Sequence, residues 1–270
     1  MAIPTYEGKD YIFAENFKAV KGFDYPNYDY VYIDNSKGTS YLKKLRQRGA
    51  KAVQVPRGKN SRQALCNAQN YARGKVFSEG YDYLLFVESD LLPRPDTIKR
   101  LLSRNKDVVG SLYYLESETN DLIPKHKVYG FLETCSLLGV DISPLNLSDV
   151  EVKGYLELKN FKMRSPCVFY VKESKEGGMG ATRLIKPTEI RALYEKPLHE
   201  VHGVGLGCTL IKRSIVNNYV FWWDENPNNE NKHSDVYFYM DLHRDGVEVY
   251  LDTSVVVPHF PSKWSDVSDR

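Results

Sequence analysis

Long apolar runs are missing from this sequence, and so is an excess of either charge. No apolar segment approaches the roughly 20 residues that a membrane-spanning helix needs. The 37 basic and 35 acidic side chains leave a formal net charge of +2. This balance gives no electrostatic reason to expect nucleic acid or a membrane surface as the main partner. The composition therefore favours a soluble globular protein.

Cysteine is scarce and scattered. The four cysteines are Cys66, Cys135, Cys167 and Cys208, and no two of them form a CxxC pair. This spacing argues against a zinc site and against a dense disulfide framework. The first residues, MAIPTYEGKDY, also lack the basic and apolar regions of a secretory signal. Reduced cysteines and the missing signal together predict a cytoplasmic protein.

Apolar segments alternate with helical patterns through the first 110 residues. Strands are predicted at 30–33, 52–55, 83–87 and from 108 onward, and helices at 40–48, 61–73 and 95–103. Such alternation indicates a mostly parallel sheet covered by helices. Ligands of such sheets bind at the carboxyl ends of the strands, where Asp34 and Asp90 are predicted to lie.

The second half of the chain has a less regular pattern. Residues 111–199 are predicted to hold short strands and loops, including a glycine-rich loop at 173–182. Beyond them, helices are predicted at 212–217 and 234–244, and strands at 247–251 and 255–257. Because no repeat or linker is evident, one domain of residues 1–270 is expected.

Two acids, Glu88 and Asp90, follow the clearest strand in the segment YDYLLFVESDLLPRPDTIKRLL. Side chains at i and i+2 of an extended segment point the same way, so both carboxylates can bind one hard divalent cation. Such a cation can neutralise a diphosphate leaving group. The alternative is a pair of solvated acids before a proline-containing turn.

Several blocks, in order, resemble the GT-A glycosyltransferases of family 2. The segment around Glu88 and Asp90 resembles their metal-binding motif, and Ile3-Pro4-Thr5-Tyr6 is similar to the strand end that cradles the nucleobase. Residues 31–36 resemble the second strand, whose acid contacts the nucleoside. Residues 61–72 resemble the helix before the metal motif, whose arginine approaches the nucleotide.

The resemblance continues in the second half. Residues 199–216 are similar to the acceptor-side turn, and residues 233–260 resemble a segment common in bacterial and phage-borne members. Asp235 matches their general base, although Ser234 stands where the family usually has a glutamate. His259 matches a C-terminal histidine that completes the metal shell; His202 and His233 are alternatives for this role.

The resemblance implies a Rossmann-like GT-A fold, three layers of α/β/α with a mostly parallel central sheet. Residues 1–110 would bind the nucleotide sugar and residues 111–270 would face the acceptor. The implied enzyme is a hexosyltransferase-type glycosyltransferase that uses Mn²⁺ or Mg²⁺ and a UDP-sugar, and it is expected to invert the anomeric centre. The acceptor would be a glycan, a lipid-linked sugar, a protein or a modified nucleic acid.

The site residues that the resemblance implies fall into three groups. The metal ligands would be Glu88, Asp90 and His259, and the catalytic base would be Asp235. The nucleotide-sugar-binding residues would be Pro4, Thr5, Tyr6, Asp34, Arg62 and Ser89.

Two other functions stay open. Sugar nucleotidyltransferases share much of this sheet, but they usually have a glycine-rich loop after the first strand, where this chain has Pro4-Thr5-Tyr6-Glu7-Gly8-Lys9. A non-catalytic carbohydrate-binding protein on the same scaffold would tolerate Ser234 in place of an acid.

Trp222 and Trp223 would form an acceptor platform or belong to the core. The glycines of 203–207 would admit close backbone approach, or form a tight turn with positive φ.

Overall fold

The computed structural model describes residues 1–171, 182–185, 187–225 and 233–260. In the first part of the chain, strands and helices alternate as predicted. The strands are β1 (Ala2–Thr5), β2 (Val31–Asp34), β3 (Ala52–Gln54), β4 (Tyr83–Val87) and β5 (Val108–Leu112). The helices are α1 (Phe13–Lys21), α2 (Ser40–Gln47), α3 (Ser61–Glu79) and α4 (Thr97–Ser103), and a 3-10 helix (Glu7–Ile12) precedes α1.

The later elements are shorter and more varied. The strands are β6 (Tyr114–Pro124), β7 (Tyr155–Pro166), β8 (Val168–Val171), β9 (Thr182–Leu184), β10 (Leu198–Val201), β11 (Gly203–Val204), β12 (Cys208–Lys212) and β13 (Val249–Val256). The helices are α5 (Lys125–Leu137), α6 (Asp149–Lys153), α7 (Pro187–Ile190), α8 (Arg213–Asn218) and α9 (Ser234–Arg244), with a 3-10 helix at Arg191–Tyr194. None of the helices in the described ranges has the length and apolar composition of a membrane span.

The central sheet has eight strands in the order β3-β2-β1-β4-β12-β5-β13-β10. Strands β1 to β5 and β13 run in one direction, whereas β12 and β10 run against their neighbours. The predicted α/β class with a mostly parallel sheet is therefore confirmed. Because the parallel strands share a direction, the carboxyl ends of β1, β2 and β4 lie at one edge.

Helices cover both faces of this sheet. On β4, Leu84 and Phe86 pack into one hydrophobic cluster with residues of α3, α8 and α9, whereas Leu85 and Val87 pack into another with residues of α1, α2 and α4. A strand buried on both faces must be apolar at successive positions, which explains the uninterrupted run at 83–87. This arrangement confirms the three-layer α/β/α fold.

The prediction of short strands and loops in residues 111–199 is only partly correct for the described part, which holds the short strands β8, β9 and β10 but also longer elements. Strands β6 and β7 form a long antiparallel ribbon, and α5 and α6 connect them. Strand β6 has no buried residue, so it shows no apolar alternation in the sequence. The ribbon has its own small core, in which Phe131 packs against Phe161. Of the loop predicted at 173–182, all but Thr182 lies outside the described residues.

Two further boundaries differ from the prediction. Helix α3 continues past residue 73 to Glu79 and ends at Gly80, whose φ of 73° is left-handed. The strands predicted at 247–251 and 255–257 form the single strand β13, with a register shift between Asp252 and Val256. Apolar pattern alone does not show such an irregularity, because strand pairing continues across it.

Candidate active site

The acidic turn after β4 is fixed by backbone hydrogen bonds. The Glu88 amide donates to the carbonyl of Gly207 at 2.7 Å, and the Leu91 amide donates to the carbonyl of Glu88 at 3.0 Å. Ser89 and Asp90 are buried between them. The turn therefore holds two carboxylates at the carboxyl edge of the parallel sheet, which is where such sheets bind ligands.

Asn16 supports this turn from below, and sequence reasoning missed it. Its Nδ2 donates to the carbonyls of Glu88 (3.3 Å) and Leu91 (2.8 Å), and its Oδ1 accepts from the Tyr32 hydroxyl at 2.7 Å. The side chain is fully buried. A signal was available, because Asn16 is a polar residue on the buried face of amphipathic helix α1.

His259 comes to the turn from the far end of the chain. It forms an antiparallel bridge with Leu91, and the Phe260 amide donates to the carbonyl of Asp90 at 2.9 Å. The His259 Nε2 lies 3.4 Å from Asp90 Oδ2, while Nδ1 lies 2.9 Å from the carbonyl oxygen of Tyr114. When Nδ1 carries the imidazole proton, it donates to that carbonyl, and the lone pair on Nε2 is then available to bind a metal ion.

Glu88, Asp90 and His259 together form a group that could hold a metal ion. One ligand atom from each lies within 4.8 Å of the other two. Two carboxylates and one imidazole fit a divalent ion such as Mn²⁺, which accepts both oxygen and nitrogen ligands. The structure thus brings together the three residues that the sequence analysis predicts as ligands.

The charges in this group influence one another strongly. Burial and the neighbouring charge of Asp90 raise the pKa of Glu88 to about 7. Burial also acts to raise the pKa of Asp90, but its hydrogen bond to His259 and its pairing with Lys9 outweigh burial and hold this pKa below the ordinary value. Burial lowers and Asp90 raises the pKa of His259, with a net increase. Asp90 is therefore the carboxylate most firmly kept ionised.

Lys9 is the second residue that sequence reasoning missed. Its Nζ lies 2.5 Å from Asp90 Oδ2, and its amide donates to the carbonyl of Tyr6 at 2.9 Å. It lies in the 3-10 helix that follows β1 and connects the predicted nucleobase cradle with the acidic turn. The sequence showed a lysine after Pro4-Thr5-Tyr6, but not where its side chain points.

Asp235 lies in the first turn of α9, where the Val236 amide donates to its Oδ1 at 2.8 Å. Burial raises its pKa, and the charge of His233 offsets part of this increase. The charge of Asp235 in turn raises the pKa values of Glu88 and Tyr113. Asp235 is therefore close enough to the acidic turn to interact with it electrostatically.

Ser234 has a structural role in this arrangement. It is fully buried, and its hydroxyl donates to Gln69 Oε1 at 2.5 Å. This contact joins α9 to α3 and fixes the position of the turn that contains Asp235. The hydroxyl at 234 therefore anchors the helix instead of adding a second carboxylate.

The glycines at 203–207 permit close packing beside the acidic turn. A Cβ at Gly205 would lie 1.7 Å from Tyr113 Oη and 2.5 Å from Cys167 Sγ, and one at Gly207 would lie 2.7 Å from Leu91 Cδ1. None of the three glycines has positive φ, so the alternative of a tight turn with positive φ is wrong. Close approach of the backbone is the reason for glycine here.

Three of the predicted nucleotide residues, Pro4, Thr5 and Asp34, lie at the ends of β1 and β2, where Thr5 pairs with Asp34. Tyr6 directly follows β1, whereas Ser89 lies in the acidic turn and Arg62 in α3. The Ser36 amide and hydroxyl both donate to Asp34 Oδ1, at 2.9 and 2.5 Å. Its Oδ2 is buried and has no hydrogen-bond partner among the described residues. Burial raises the pKa of Asp34, although Ser36 and the nearby backbone amide of Leu42 act to lower it. A buried acceptor without a donor is suited to a ligand N–H.

Arg62 and Trp222 both lie near Tyr237 of helix α9. Burial raises the pKa of Tyr237. The charge of Arg62, which lies in the first turn of α3, offsets part of this increase. Trp222 stacks on the Tyr237 ring at 4.0 Å, and its Nε1 donates to Asp241 at 2.8 Å. One face of Trp222 is therefore covered by protein, while Trp223 packs against the main core.

The two alternative histidines lie outside the metal-binding group. His202 Nδ1 accepts from the Val171 amide at 3.0 Å, and its ring stacks on His243 at 4.2 Å. His233 precedes α9 and acts on Asp235 through its charge. Neither is among the three residues whose ligand atoms cluster.

Comparison with known proteins agrees with this fold. The family model described as "Glycosyl transferase family 2" matches residues 1–141, just over half of the 270-residue chain. A search of curated protein sequences finds no significant match. Among solved structures, S. aureus TarS 1-349 in complex with UDP-GlcNAc is similar with a TM-score of 0.50 and 12% identity, over 100% of this chain and 60% of that one.

A second similar structure is A197 from STIV, with 16% identity and a TM-score of 0.41 over 97% of this chain and 84% of that one. At such identities, structural similarity bears on the fold alone. The likeness to TarS therefore supports the GT-A architecture, and the family match carries the assignment.

Proposed function

This chain belongs to glycosyl transferase family 2, and from that premise we propose that it moves a sugar from a nucleoside diphosphate to an acceptor hydroxyl with the help of a divalent cation. The observation that carries the proposal is the cluster of Glu88, Asp90 and His259. The charge of Asp235 also reaches this cluster, where it adds to the increase in the pKa of Glu88 that burial and Asp90 cause. In this proposal residues 1–270 form one catalytic domain, in which 1–110 bind the donor and 111–270 face the acceptor.

The metal site would be formed by Glu88, Asp90 and His259. A divalent cation held there supplies positive charge that neutralises the diphosphate as it leaves. Asp90 suits the role because Lys9 and His259 keep its pKa low and its carboxylate ionised. The hydrogen bond between His259 Nδ1 and the carbonyl oxygen of Tyr114 holds the imidazole ring in one orientation.

Asp235 would act as the general base. Its raised pKa makes it a stronger proton acceptor than an exposed aspartate, and a base must be both ionised and basic at the working pH. The acceptor hydroxyl oxygen would bond to the anomeric carbon as its proton passes to Asp235. The bond from that carbon to the diphosphate oxygen would break on the opposite side, and the diphosphate would keep the electron pair. A single displacement of this kind inverts the anomeric centre.

The nucleoside would bind at the ends of β1 and β2. Asp34 Oδ2 supports this assignment, since it is a buried acceptor that the described residues leave without a donor. The imide N–H of uracil is a suitable donor, so a UDP-sugar is the proposed substrate. Pro4, Thr5 and Tyr6 would line the base, while Arg62 and Ser89 would contact the nucleotide or sugar.

The 3-10 helix at Glu7–Ile12 bears on the nucleotidyltransferase alternative. It occupies the position after β1 where those enzymes usually have a glycine-rich phosphate loop. This helix contains one glycine, Gly8, and therefore lacks the run of glycines that such a loop requires. The proposed acceptor is a glycan, a lipid-linked sugar, a protein or a modified nucleic acid.

A thermal-shift screen tests the proposal. Purified protein would be heated with UDP, GDP, CDP and ADP, each with and without Mn²⁺. Ligands that bind the native state raise the melting temperature by mass action. We expect UDP with Mn²⁺ to give the largest increase and Asp90→Ala to remove it. No increase with any of the nucleotides, in either condition, would contradict the proposal.

Asp235→Asn separates binding from chemistry. The variant keeps the side-chain shape but is no longer a base, so UDP should still raise the melting temperature. Hydrolysis or transfer of the UDP-sugar should fall by about two to four orders of magnitude, the usual contribution of general base catalysis. Full activity in this variant would remove Asp235 from the mechanism.

A further inference from the structure

The structure places a lysine ammonium on the carboxylate that the cation would use. Lys9 Nζ lies 2.5 Å from Asp90 Oδ2, the same oxygen that lies 3.4 Å from His259 Nε2. We propose that Lys9 is the counter-ion of Asp90 in the resting protein and that it transfers to the donor diphosphate when a divalent cation binds. This inference rests on the proposed function.

Burial makes this ion pair significant. The side chains of Lys9 and Asp90 are 15% and 3% exposed. An unpaired carboxylate at such a position is costly, so the ammonium stabilises the acidic turn when it has no other cation. Nζ occupies the space beside Oδ2 that a metal ion needs, and two positive charges at that oxygen repel each other. Binding of a cation therefore requires the ammonium to leave Asp90.

The surroundings limit where the ammonium can go. Burial lowers the pKa of Lys9, but Asp90 and, to a smaller degree, Glu88 raise it overall, and Glu88 is itself a predicted metal ligand. Asp10, the next residue along, is paired with Lys44 and Arg48. The proposed function brings a further anion to this site, the diphosphate of the donor. A lysine has a flexible stem with three N–H donors, which suits it to follow a phosphate oxygen.

This exchange predicts that metal and nucleotide bind cooperatively. The metal alone must displace Lys9 from Asp90 without any compensating anion. When the diphosphate is also present, the displaced ammonium gains a partner, so each ligand should tighten the binding of the other by the same factor.

Calorimetric titration of Lys9→Met tests the exchange. Without the competing ammonium, Mn²⁺ alone should bind about tenfold more tightly than to the wild type. A positive charge this close to a carboxylate lowers the affinity of that carboxylate for another cation by about an order of magnitude or more. In saturating Mn²⁺, UDP should bind about tenfold more weakly because the diphosphate loses a charged donor. Lys51→Met is the matched control, since it removes another lysine–aspartate pair far from the site, and both affinities should stay at the wild-type values.

Lys9→Arg guards against a folding artefact. It retains a positive charge and phosphate donors, so Mn²⁺ binding should stay weak and UDP binding should be largely restored. Wild-type Mn²⁺ affinity in Lys9→Met, or undiminished UDP affinity, would overturn the exchange while leaving the proposed function intact. Failure of the wild type to bind either Mn²⁺ or UDP would instead overturn the proposed function, and the exchange with it.

Discussion

The two ends of the parallel sheet each have a lysine–aspartate pair, but in different surroundings. At the carboxyl end, the side chains of Lys9 and Asp90 are 15% and 3% exposed, whereas those of Lys51 and Asp29 at the amino end are 61% and 48% exposed. Water screens the second pair and leaves it with little energetic weight. At the first pair, water is largely excluded, and neighbouring charges change one another's pKa. The same residue types thus form a surface contact at one end and a buried, strongly interacting group of charges at the other.

The largest difference between the two ends should appear in catalysis. Asp90→Ala removes a predicted metal ligand, and we expect turnover of a UDP-sugar with Mn²⁺ to fall by about a thousandfold, as when a charge-stabilising group is lost from an active site. Asp29→Ala, at the amino end, should leave turnover within about twofold of the wild type. Equal losses in the two variants would show that the carboxyl end is not the catalytic end.

The loss of stability on removing a supporting hydrogen bond should also differ between the two ends of the sheet. Asn16→Ala leaves the Leu91 carbonyl and the Tyr32 hydroxyl without their buried partner, and it removes one of the two donors to the Glu88 carbonyl. We expect the free energy of unfolding in urea to fall by about 2–3 kcal/mol. Tyr81→Phe removes the 3.3 Å hydrogen bond from the Tyr81 hydroxyl to Asp29, which is partly buried, and should cost less than about 1 kcal/mol. If both variants unfold alike, Asn16 does not hold the turn.

The pH dependence of stability should come from the carboxyl end. Burial and the Asp90 charge raise the pKa of Glu88 to about 7. A carboxyl with a raised pKa binds its proton more tightly in the folded state, so its stabilising contribution is complete below its unfolded pKa and is lost as pH rises through the folded value. Burial gives Asp235 a shift in the same direction. Asp90, whose pKa is lowered, loses its contribution only in more acidic solution.

Metal-free protein should therefore become about 2 kcal/mol less stable between about pH 5 and about pH 7.5, a window set by Glu88. Urea unfolding at a series of pH values measures this change. Glu88→Gln should flatten the profile in that window, and Glu79→Gln, which alters an exposed acid near the amino end, should not. A wild-type profile that rises across the window would contradict the assignment.

The smallest effect should come from the exposed pair itself. Lys51→Met should change the free energy of unfolding by less than about 1 kcal/mol, because an exposed ion pair is screened and its partners stay hydrated. Urea unfolding at low and high salt provides the measurement. A loss much larger than this, or one that depends steeply on salt, would show that exposure does not explain the difference between the two ends.

Much of the carboxyl-end chemistry could be predicted from the sequence because it lies at strand ends. The run at 83–87 marks a strand buried on both faces, so Glu88 and Asp90 had to lie at its carboxyl end. Asn16 and Lys9 could not be placed in the same way. Their roles depend on contacts with residues more than 70 positions away along the chain, which no local period encodes.

The ribbon of β6 and β7 shows a second limit. Strand β6 is solvent-exposed or half-buried throughout, so its sequence lacks the alternation that would reveal it. Backbone pairing with β7 holds it in place, and apolar side chains of β7 and α5 form the small core beneath. Periodicity detects burial, and an element that is mostly exposed does not produce the pattern.

The sequence by itself determined the alternation of strands and helices, the acids at the strand ends and the family to which the chain belongs, because local apolar period and motif order are properties of the chain. Only the tertiary structure decided that His259 meets Asp90, that Asp235 acts on Glu88, and that Lys9 rests on the proposed metal ligand. These contacts arise where distant segments are packed together and water is excluded. Charges interact more strongly where water is excluded, because the effective dielectric constant is lower there.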